Sequence, residues 1–292
     1  MTSQPAMRFG DKDVAADRAL VMAIVNRTRD SFFDRGATFA AEAALAAVDA
    51  AVEDGADIVD IGGVRAGAQG ERVDTDEESR RVVPFVAAVR ERHPELVISV
   101  DTWRGEVARR VCEAGADLLN DTWAGADPEV ARVAAEFGVG VVCSHTGGLP
   151  PRTDPYRVRY PDVVAQVAAE LVERAELAVS LGVPRAGVLI DPTHDFGKNT
   201  WHGLELVRRI GELVDTGWPV LMALSNKDFI GETLDVEVSE RLEGTLAATA
   251  IAAWSGARVF RAHQVAATRR VVDMVAAVAG TRPPSHVLRA LA

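Results

Sequence analysis

The sequence predicts a single (β/α)8 barrel, and three observations support this fold. Eight short apolar runs end in polar or charged residues, amphipathic stretches of helical period separate them, and 292 residues is an ordinary length for one α/β barrel. Eight units without a ninth favour a closed barrel over an open doubly wound sheet. We expect a partly irregular N-terminal segment at residues 1–18, the barrel at 19–280 and a tail at 281–292.

The predicted strands are short and rich in β-branched residues, whereas the predicted helices are longer and amphipathic. The strands cover residues 20–25, 58–61, 96–100, 118–119, 139–143, 188–190, 220–224 and 259–260. The helices cover residues 40–53, 76–92, 104–114, 128–137, 162–181, 202–214, 236–254 and 264–279. Gly138 follows the fourth helical stretch, at a position where a left-handed residue commonly ends a helix.

The polar residues at the ends of the strands are the candidate site. A parallel strand that is buried along its length and polar at its C-terminal tip suits a barrel whose active site lies at that face. Singly, an aspartate or asparagine there could cap the next helix, and the histidine could be structural. Together they predict one site. In order they are Asn26, Asp60 with Gly62 and Gly63, Asp101, Asn120 with Asp121, His145, Asp191, Ser225 with Lys227, and Arg261 with His263.

The composition restricts the class of protein. With 48% hydrophobic and 26% charged residues the chain is globular, and a net charge of −11 argues against broad binding to nucleic acid or acidic membranes. The polar start and the lack of a long apolar stretch predict a cytoplasmic protein. Cys112 and Cys143 have no paired spacing and no ligand set around them, so we expect packing thiols.

The residue types at the strand ends indicate the chemistry of the ligand. Carboxylates and amides that converge from several strands can both accept and donate hydrogen bonds in one plane, which suits a flat, guanidine-like heterocycle. Lysine and arginine on neighbouring tips suit a phosphate or diphosphate. A serine hydrolase is disfavoured, because Ser144 and His145 lie within a strand-like run without a nucleophile elbow.

The order and spacing of the polar strand ends and the short motifs around them resemble the dihydropteroate synthases over about residues 19–265, nearly the whole chain. Only the whole set of motifs makes the match to this family specific. The matching phrases are Asn26-x-Thr28-x-Asp30-Ser31-Phe32, the run from Gly55 to Gly63, Ser99-Val100-Asp101-Thr102, Asn120-Asp121, Asp191-Pro192 with Phe196-Gly197-Lys198, Ser225-x-Lys227 and Arg261-x-His263.

The resemblance implies that the protein binds a dihydropterin diphosphate, which the family joins to p-aminobenzoate with loss of diphosphate. It implies pterin ligands at Asp101, Asn120, Asp191 and Lys227, and diphosphate ligands at Asn26, Arg261 and His263. Asn26 would also bind Mg²⁺. A homodimer through outer helices is a further implication, and the apolar last helix, with Val271, Val272, Met274 and Val275, is compatible with it; such a helix could equally cover the sheet.

The sequence departs from the family pattern in the loops that follow the first two strands. Arg27, Arg29, Phe33 and Arg35 replace valine, proline, serine and glycine in the first loop. The second loop is two residues shorter and lacks its threonine and proline. We therefore expect defective closure over the substrates. Smaller departures are Ser144 and Thr146 beside His145, then Thr193, His194 and Asp195, and finally Asn226 and Gln264.

Three functions remain open from the sequence. The first is a dihydropteroate synthase-like protein that keeps the pterin and diphosphate pocket but has little or no synthase activity. The second is an active transferase that uses p-aminobenzoate or an altered acceptor, with the first-loop arginines contacting the diphosphate. The third is a folate-binding methyltransferase relative, which should have no use for Phe196-Gly197-Lys198 or Arg261.

Overall fold

Eight parallel strands form a barrel in the computed structural model, which describes residues 6–28, 41–65, 67, 71–153 and 158–289. A short N-terminal hairpin, β1 and β2, precedes them. The strands are β1 Arg8–Phe9, β2 Lys12–Asp13, β3 Leu20–Asn26, β4 Ile58–Gly62, β5 Val97–Asp101, β6 Leu118–Asp121, β7 Gly140–Ser144, β8 Val188–Asp191, β9 Leu221–Met222 and β10 Val259–Ala262.

The barrel follows the chain order and closes on itself. The strands lie in the order β8-β7-β6-β5-β4-β3-β10-β9, and a parallel bridge between Ile190 and Val220 joins the two ends of this sheet. The predicted (β/α)8 fold is confirmed. The helices around it are α1 Ala41–Glu53, α2 Thr75–Arg92, α3 Gly105–Glu113, α4 Glu129–Phe137, α5 Val163–Ser180, α6 Thr200–Arg208, α7 Ile210–Val214, α8 Asp228–Leu234, α9 Leu242–Trp254 and α10 Val265–Ala279.

Two predicted helices have different bounds in the structure. The segment predicted as one helix at 202–214 is two helices, α6 and α7, which meet at Arg209. The helix predicted at 236–254 begins later, at Leu242, after a 3₁₀ turn at Val238–Glu240. The sequence analysis missed α8, because seven residues with a central Gly231 carry a weak helical signal.

The interior of the barrel is apolar at its N-terminal end and polar at its C-terminal end. Because side chains alternate along a strand, every second residue faces inward. On β3 that column is Leu20, Met22, Ile24 and Asn26: the first two join the inner core, and the last two line the cavity. The same arrangement on the other strands produces a polar layer above an apolar one.

The hairpin of β1 and β2 covers the apolar end of the barrel. Met7 and Phe9 are buried and pack against Leu20 and Met22 in the inner core. Lys12 donates to Asp117 at 3.1 Å, and this ion pair holds the hairpin to the start of β6. The opposite end of the barrel therefore remains the only open end of this interior in the described chain.

Local details agree with the sequence analysis. Gly138 ends α4 with a left-handed φ of 66°, as predicted. Cys112 and Cys143 are free and buried, and burial raises the pKa of each thiol to about 12. Among the described residues, no helix is both long and apolar enough to cross a membrane.

Candidate functional site

A cavity of about 420 Å³ opens at the C-terminal end of the barrel, where the sequence predicts the site. Side chains from several strand ends line it. Six of the seven predicted ligands are among them, namely Asn26, Asp101, Asp191, Lys227, Arg261 and His263. The seventh, Asn120, is buried beneath the cavity and does not line it.

Asp60 is the centre of a buried network that links the predicted ligands. Its Oδ2 accepts from Arg261 Nε at 2.6 Å and from Asn120 Nδ2 at 3.1 Å, and its Oδ1 accepts from Ser99 Oγ at 2.6 Å. Arg261 also donates from Nη2 to Asp101 Oδ2 at 3.1 Å. Charge-assisted bonds of this kind fix a guanidinium firmly. Asp60 thus positions both the Arg261 guanidinium and the Asn120 amide.

Asp101 is a carboxylate that can change protonation near neutral pH. Burial raises its pKa to about 7, while Arg261 opposes that rise and Asp60 adds to it. Its Oδ1 accepts from Thr122 Oγ1 at 2.8 Å. A carboxyl group in this state can either accept or donate a hydrogen bond at small cost, which is useful against a heterocycle whose edge presents both kinds of group.

Asp191 is the second buried carboxyl group that lines the cavity. Burial raises its pKa to about 6, and the hydrogen bond from Thr193 N, at 2.7 Å to Oδ1, together with Lys227, opposes this rise. A carboxylate offers about four lone-pair positions, so one internal hydrogen bond leaves capacity for a ligand. Paired N–H donors of an amino-pyrimidine are a suitable match.

Lys227 lies against an aromatic wall. Its Nζ is 4.8 Å from the centre of the Phe196 ring, a cation–π contact. Phe196 contacts Trp123 edge to face at 5.1 Å between centroids, and Trp123 in turn contacts Trp103. Flat aromatic surfaces beside carboxyl groups suit a planar ring system. The sequence analysis did not identify Trp123, because a buried tryptophan usually indicates core packing.

His263 and Ser225 are held together at the ends of β10 and β9. Ser225 Oγ and His263 Nδ1 lie 2.9 Å apart, and His263 N donates to the same Oγ at 3.2 Å. Gln264 Oε1 accepts from Asn226 Nδ2 at 3.3 Å, so two departures from the family pattern contact each other here. This edge of the cavity is therefore an ordered set of side chains.

Lys198 has a structural role, as a donor to main-chain carbonyls, that the sequence analysis did not identify. Its buried Nζ donates to three main-chain carbonyls, His145 O at 2.8 Å, Phe196 O at 2.9 Å and Thr193 O at 3.2 Å. Burial lowers its pKa to about 7. Lys198 therefore ties the loop after β8 to the end of β7 and fixes the Phe196 side of the cavity.

His145 does not line the cavity. Its side chain is fully buried, and Nε2 lies 3.2 Å from Glu170 Oε2. Burial lowers its pKa to about 4, with Lys198 acting in the same direction. Of the two interpretations that the sequence left open, the structure favours the structural histidine.

The residues that depart from the family pattern lie in different places relative to the cavity. Arg27 points away from the cavity and stacks on Phe85 of α2, with 4.7 Å between the guanidinium carbon and the ring centre. Arg29, Phe33 and Arg35 lie outside the described residues. From the second loop, Val64, Arg65 and Gly67 line the cavity, whereas Ala66 is outside the described residues. From the later departures, Thr193, Asp195 and Asn226 also line it.

Asn26 meets the requirements for a single magnesium ligand. It ends β3 and lines the cavity. The described residues contain no group of three or more His, Cys, Asp or Glu side chains that could hold a metal by themselves. Magnesium usually keeps several waters and takes a few protein oxygens together with phosphate oxygens, so one amide oxygen beside a phosphate fits that mode.

Comparison with known proteins establishes the family. A family model described as pterin binding enzyme matches residues 22–263, so the chain belongs to the pterin-binding enzyme family. "Inactive dihydropteroate synthase 2" of Mycobacterium leprae (strain TN) is 62% identical, over 96% of this chain and 98% of that protein. The resemblance to dihydropteroate synthases is therefore confirmed.

Solved structures agree with this assignment. The structure of Mycobacterium tuberculosis Rv1207 has a TM-score of 0.74 at 52% identity, and the match covers 95% of this chain and 99% of that one. Dihydropteroate synthase from Xanthomonas albilineans in complex with 7,8-dihydropteroate has a TM-score of 0.82 at 38% identity, covering 94% and 99%. Both likenesses extend over almost the entire barrel.

Proposed function

We propose that the protein binds a dihydropterin in the C-terminal cavity but has little or no dihydropteroate synthase activity. The observation that supports this most is the placement of Asp101, Asp191 and Lys227 around one cavity beside the aromatic wall. The name of the Mycobacterium leprae relative, an inactive synthase, and the 7,8-dihydropteroate bound by the Xanthomonas enzyme support the two halves of the proposal.

The pterin would be held by hydrogen bonds to both of its polar edges. Asp191 would accept from the paired donors of the amino-pyrimidine, and Lys227 would donate to the ring carbonyl while Phe196 limits the movement of its ammonium. Asp101 would contact the opposite edge of the ring. Asn120 would act from below, through its bond to Asp60 or after a small shift toward the ligand.

Asn26, Arg261 and His263 would face a diphosphate attached to that pterin. Asn26 would hold Mg²⁺ together with phosphate oxygens, and the ion would neutralise charge on the leaving group. Arg261 would supply a cation fixed by Asp60. An amine such as p-aminobenzoate needs little activation, so a synthase depends on positioning and on loops that close over both substrates. The shortened second loop is where this protein would fail.

A turnover assay tests the loss of synthase activity. Purified protein is incubated with dihydropterin diphosphate, p-aminobenzoate and magnesium, and dihydropteroate is measured. We expect a rate at least about a thousandfold below ordinary enzymatic values of about 10 per second. Turnover at an ordinary rate would refute the inactivity and favour the active transferase, with Arg65 at the cavity as its candidate compensating residue.

We further propose a homodimer through α9 and α10. Ile251 and Trp254 on α9 and Met274 and Val278 on α10 are all more than half exposed and lie side by side along an apolar groove. The opposite side of α10 covers the sheet, because Val272 and Ala276 are buried. The buried face of the last helix therefore covers the sheet, and its exposed face would serve the proposed dimer. A contiguous exposed apolar patch favours association, and a second copy fits a self-complementary helix pair. A cytoplasmic location is still a prediction from the sequence.

A further inference from the structure

The basic side chains deep in the cavity, Arg261 and Lys227, have carboxylates of the chain itself close to them. Arg261 has two, since its guanidinium donates to Asp60 at 2.6 Å and to Asp101 at 3.1 Å. Both acids are held in turn by neutral donors, Ser99 and Thr122. A phosphate that approached Arg261 would have to displace or share these bonds. The guanidinium is thus engaged before any ligand arrives.

Lys227 has carboxylates near it but, among the described residues, forms no ion pair as short as those of Arg261. Asp195 Oδ2 accepts from the main-chain N–H of Asp228, the next residue after Lys227, at 2.7 Å, so its carboxylate lies beside the lysine. Lys227 opposes the rise in pKa that burial causes at both Asp191 and Asp195, which places its charge within reach of both. Asp228 also lines the cavity, but it forms an ion pair with Arg241 at 2.8 Å. Asp228 and Arg241 together therefore add no net charge to the cavity.

Among the described residues, the charge balance of the pocket leaves no surplus of basic over acidic side chains for an anion. Of the described lining residues outside the Asp228–Arg241 pair, three are acidic and three basic, and the buried Asp60 adds a further carboxylate. The internal segments outside the described residues carry no net charge by composition. Residues 29–40 contain two arginines and two aspartates, residues 154–157 contain one of each, and residues 66 and 68–70 carry no charge.

From this balance we propose that the cavity selects a reduced pterin with an uncharged side chain over the same pterin carrying a diphosphate. The inference rests on the proposed pterin site and names the ligand that this site prefers. A planar, neutral ring can form hydrogen bonds with Asp191, Asp101 and Lys227 without adding charge to the site. A diphosphate adds several negative charges to a buried site whose cations already have carboxylates beside them, so its burial is poorly compensated.

Asp195 is the residue whose removal should change this preference. It has a left-handed φ of 68°, a conformation that asparagine tolerates well, so Asp195→Asn removes the charge and keeps the backbone. Asp235 provides a matched control. It also has a left-handed φ, of 54°, but it is exposed at the far end of α8 and does not line the cavity. Asp235→Asn therefore removes the same charge from the same backbone conformation elsewhere.

Calorimetric titration tests the proposal. The full-length protein is titrated with 6-hydroxymethyl-7,8-dihydropterin and with its diphosphate, each with and without magnesium. We expect the hydroxymethyl compound to bind more tightly in both conditions. Asp195→Asn should strengthen diphosphate binding about tenfold, equal to about 1.4 kcal/mol, and change binding of the hydroxymethyl compound much less. Asp235→Asn should change neither.

The outcomes separate this inference from the proposed function. Tighter binding of the diphosphate by the wild-type protein, in either condition, would overturn the inference and leave the pterin site standing. An equal effect of Asp195→Asn and Asp235→Asn on diphosphate binding would overturn the role of Asp195 and, with it, the charge argument. Absence of binding by both compounds would overturn the proposed pterin site itself. Circular dichroism of both variants checks that they are folded.

Discussion

Replacement of Asp101, which lines the candidate site, by asparagine should make the protein gain stability relative to the wild type as the pH rises. Asp101 has an ordinary pKa of 3.8, and burial raises it to about 7 in the folded protein. The folded state therefore holds its proton more tightly than the unfolded state, and stability falls as pH rises between these two values. Asparagine does not titrate, so the variant escapes this loss.

The magnitude follows from the pH range in which only the folded state is protonated. Between pH 5 and pH 7 the wild-type protein should lose about 2.3 kcal/mol relative to Asp101→Asn, because the slope of about 1.36 kcal/mol per pH unit falls to half where the folded state is half protonated. Loss of the bond to Arg261 Nη2 lowers the variant's stability by a similar amount at every pH, so only the difference with pH is diagnostic. The difference in melting temperature between Asp101→Asn and the wild type should shift by about 5 °C in favour of the variant over this pH range.

Thermal unfolding at pH 5, 7 and 8.5 measures this gap. The exposed Asp235→Asn variant controls for the loss of a carboxylate at the surface. A gap between wild type and Asp101→Asn that stays constant from pH 5 to 8.5 would refute the reasoning, because it would mean that Asp101 titrates alike in the folded and unfolded chains. A gap that moves in favour of the wild type would reverse the sign of the argument.

Three other perturbations have defined outcomes. Lys198→Met leaves three carbonyls without their donor and should lower the unfolding free energy in urea by about 3 kcal/mol at pH 7. The deficit should grow toward pH 10, because the lowered pKa of Lys198 makes the folded wild type release its proton first and gain stability. A deficit below about 1 kcal/mol, the value of one hydrogen bond, would contradict this role of Lys198. Trp254→Glu should yield monomers in sedimentation velocity. Trp201→Glu, which changes an even more exposed tryptophan on α6, should not, and dimers in both variants would exclude the proposed face. Cys112 and Cys143 should react with a thiol reagent at the rate of unfolding, and fast reaction in the native protein would contradict their burial.

The fold and the position of the site could be predicted because both depend on local patterns. The barrel follows from eight apolar runs between amphipathic stretches, and the polar tip of each run marks the end at which the strands open. The same period of two places Asn26 inside the barrel and Arg27 outside it. This alternation was visible in the sequence, but the sequence analysis did not apply it to Arg27 and kept the first-loop arginines as possible diphosphate contacts.

The internal partners of the site could not be predicted, because they join residues far apart in the chain. Arg261 and Asp60 are 201 positions apart, and no local pattern indicates that they form an ion pair. Lys198 lies in a phrase that suggested a ligand contact, yet its ammonium is used on three main-chain carbonyls. The helix α8 was missed for a different reason: a seven-residue helix depends on tertiary contacts more than on its own propensity.

The energetic cost of the buried carboxyl groups favours a site that still binds a ligand over one that has lost this function. Asp101 and Asp191 are buried with pKa values raised to about 7 and about 6, so near neutral pH each lowers the stability of the empty protein. Asparagine at either position would fill almost the same space without that cost. Perturbed carboxyl groups that converge on one cavity are typical of functional sites. A neutral ring that donates to both groups would compensate for their burial, whereas an added diphosphate would increase its cost.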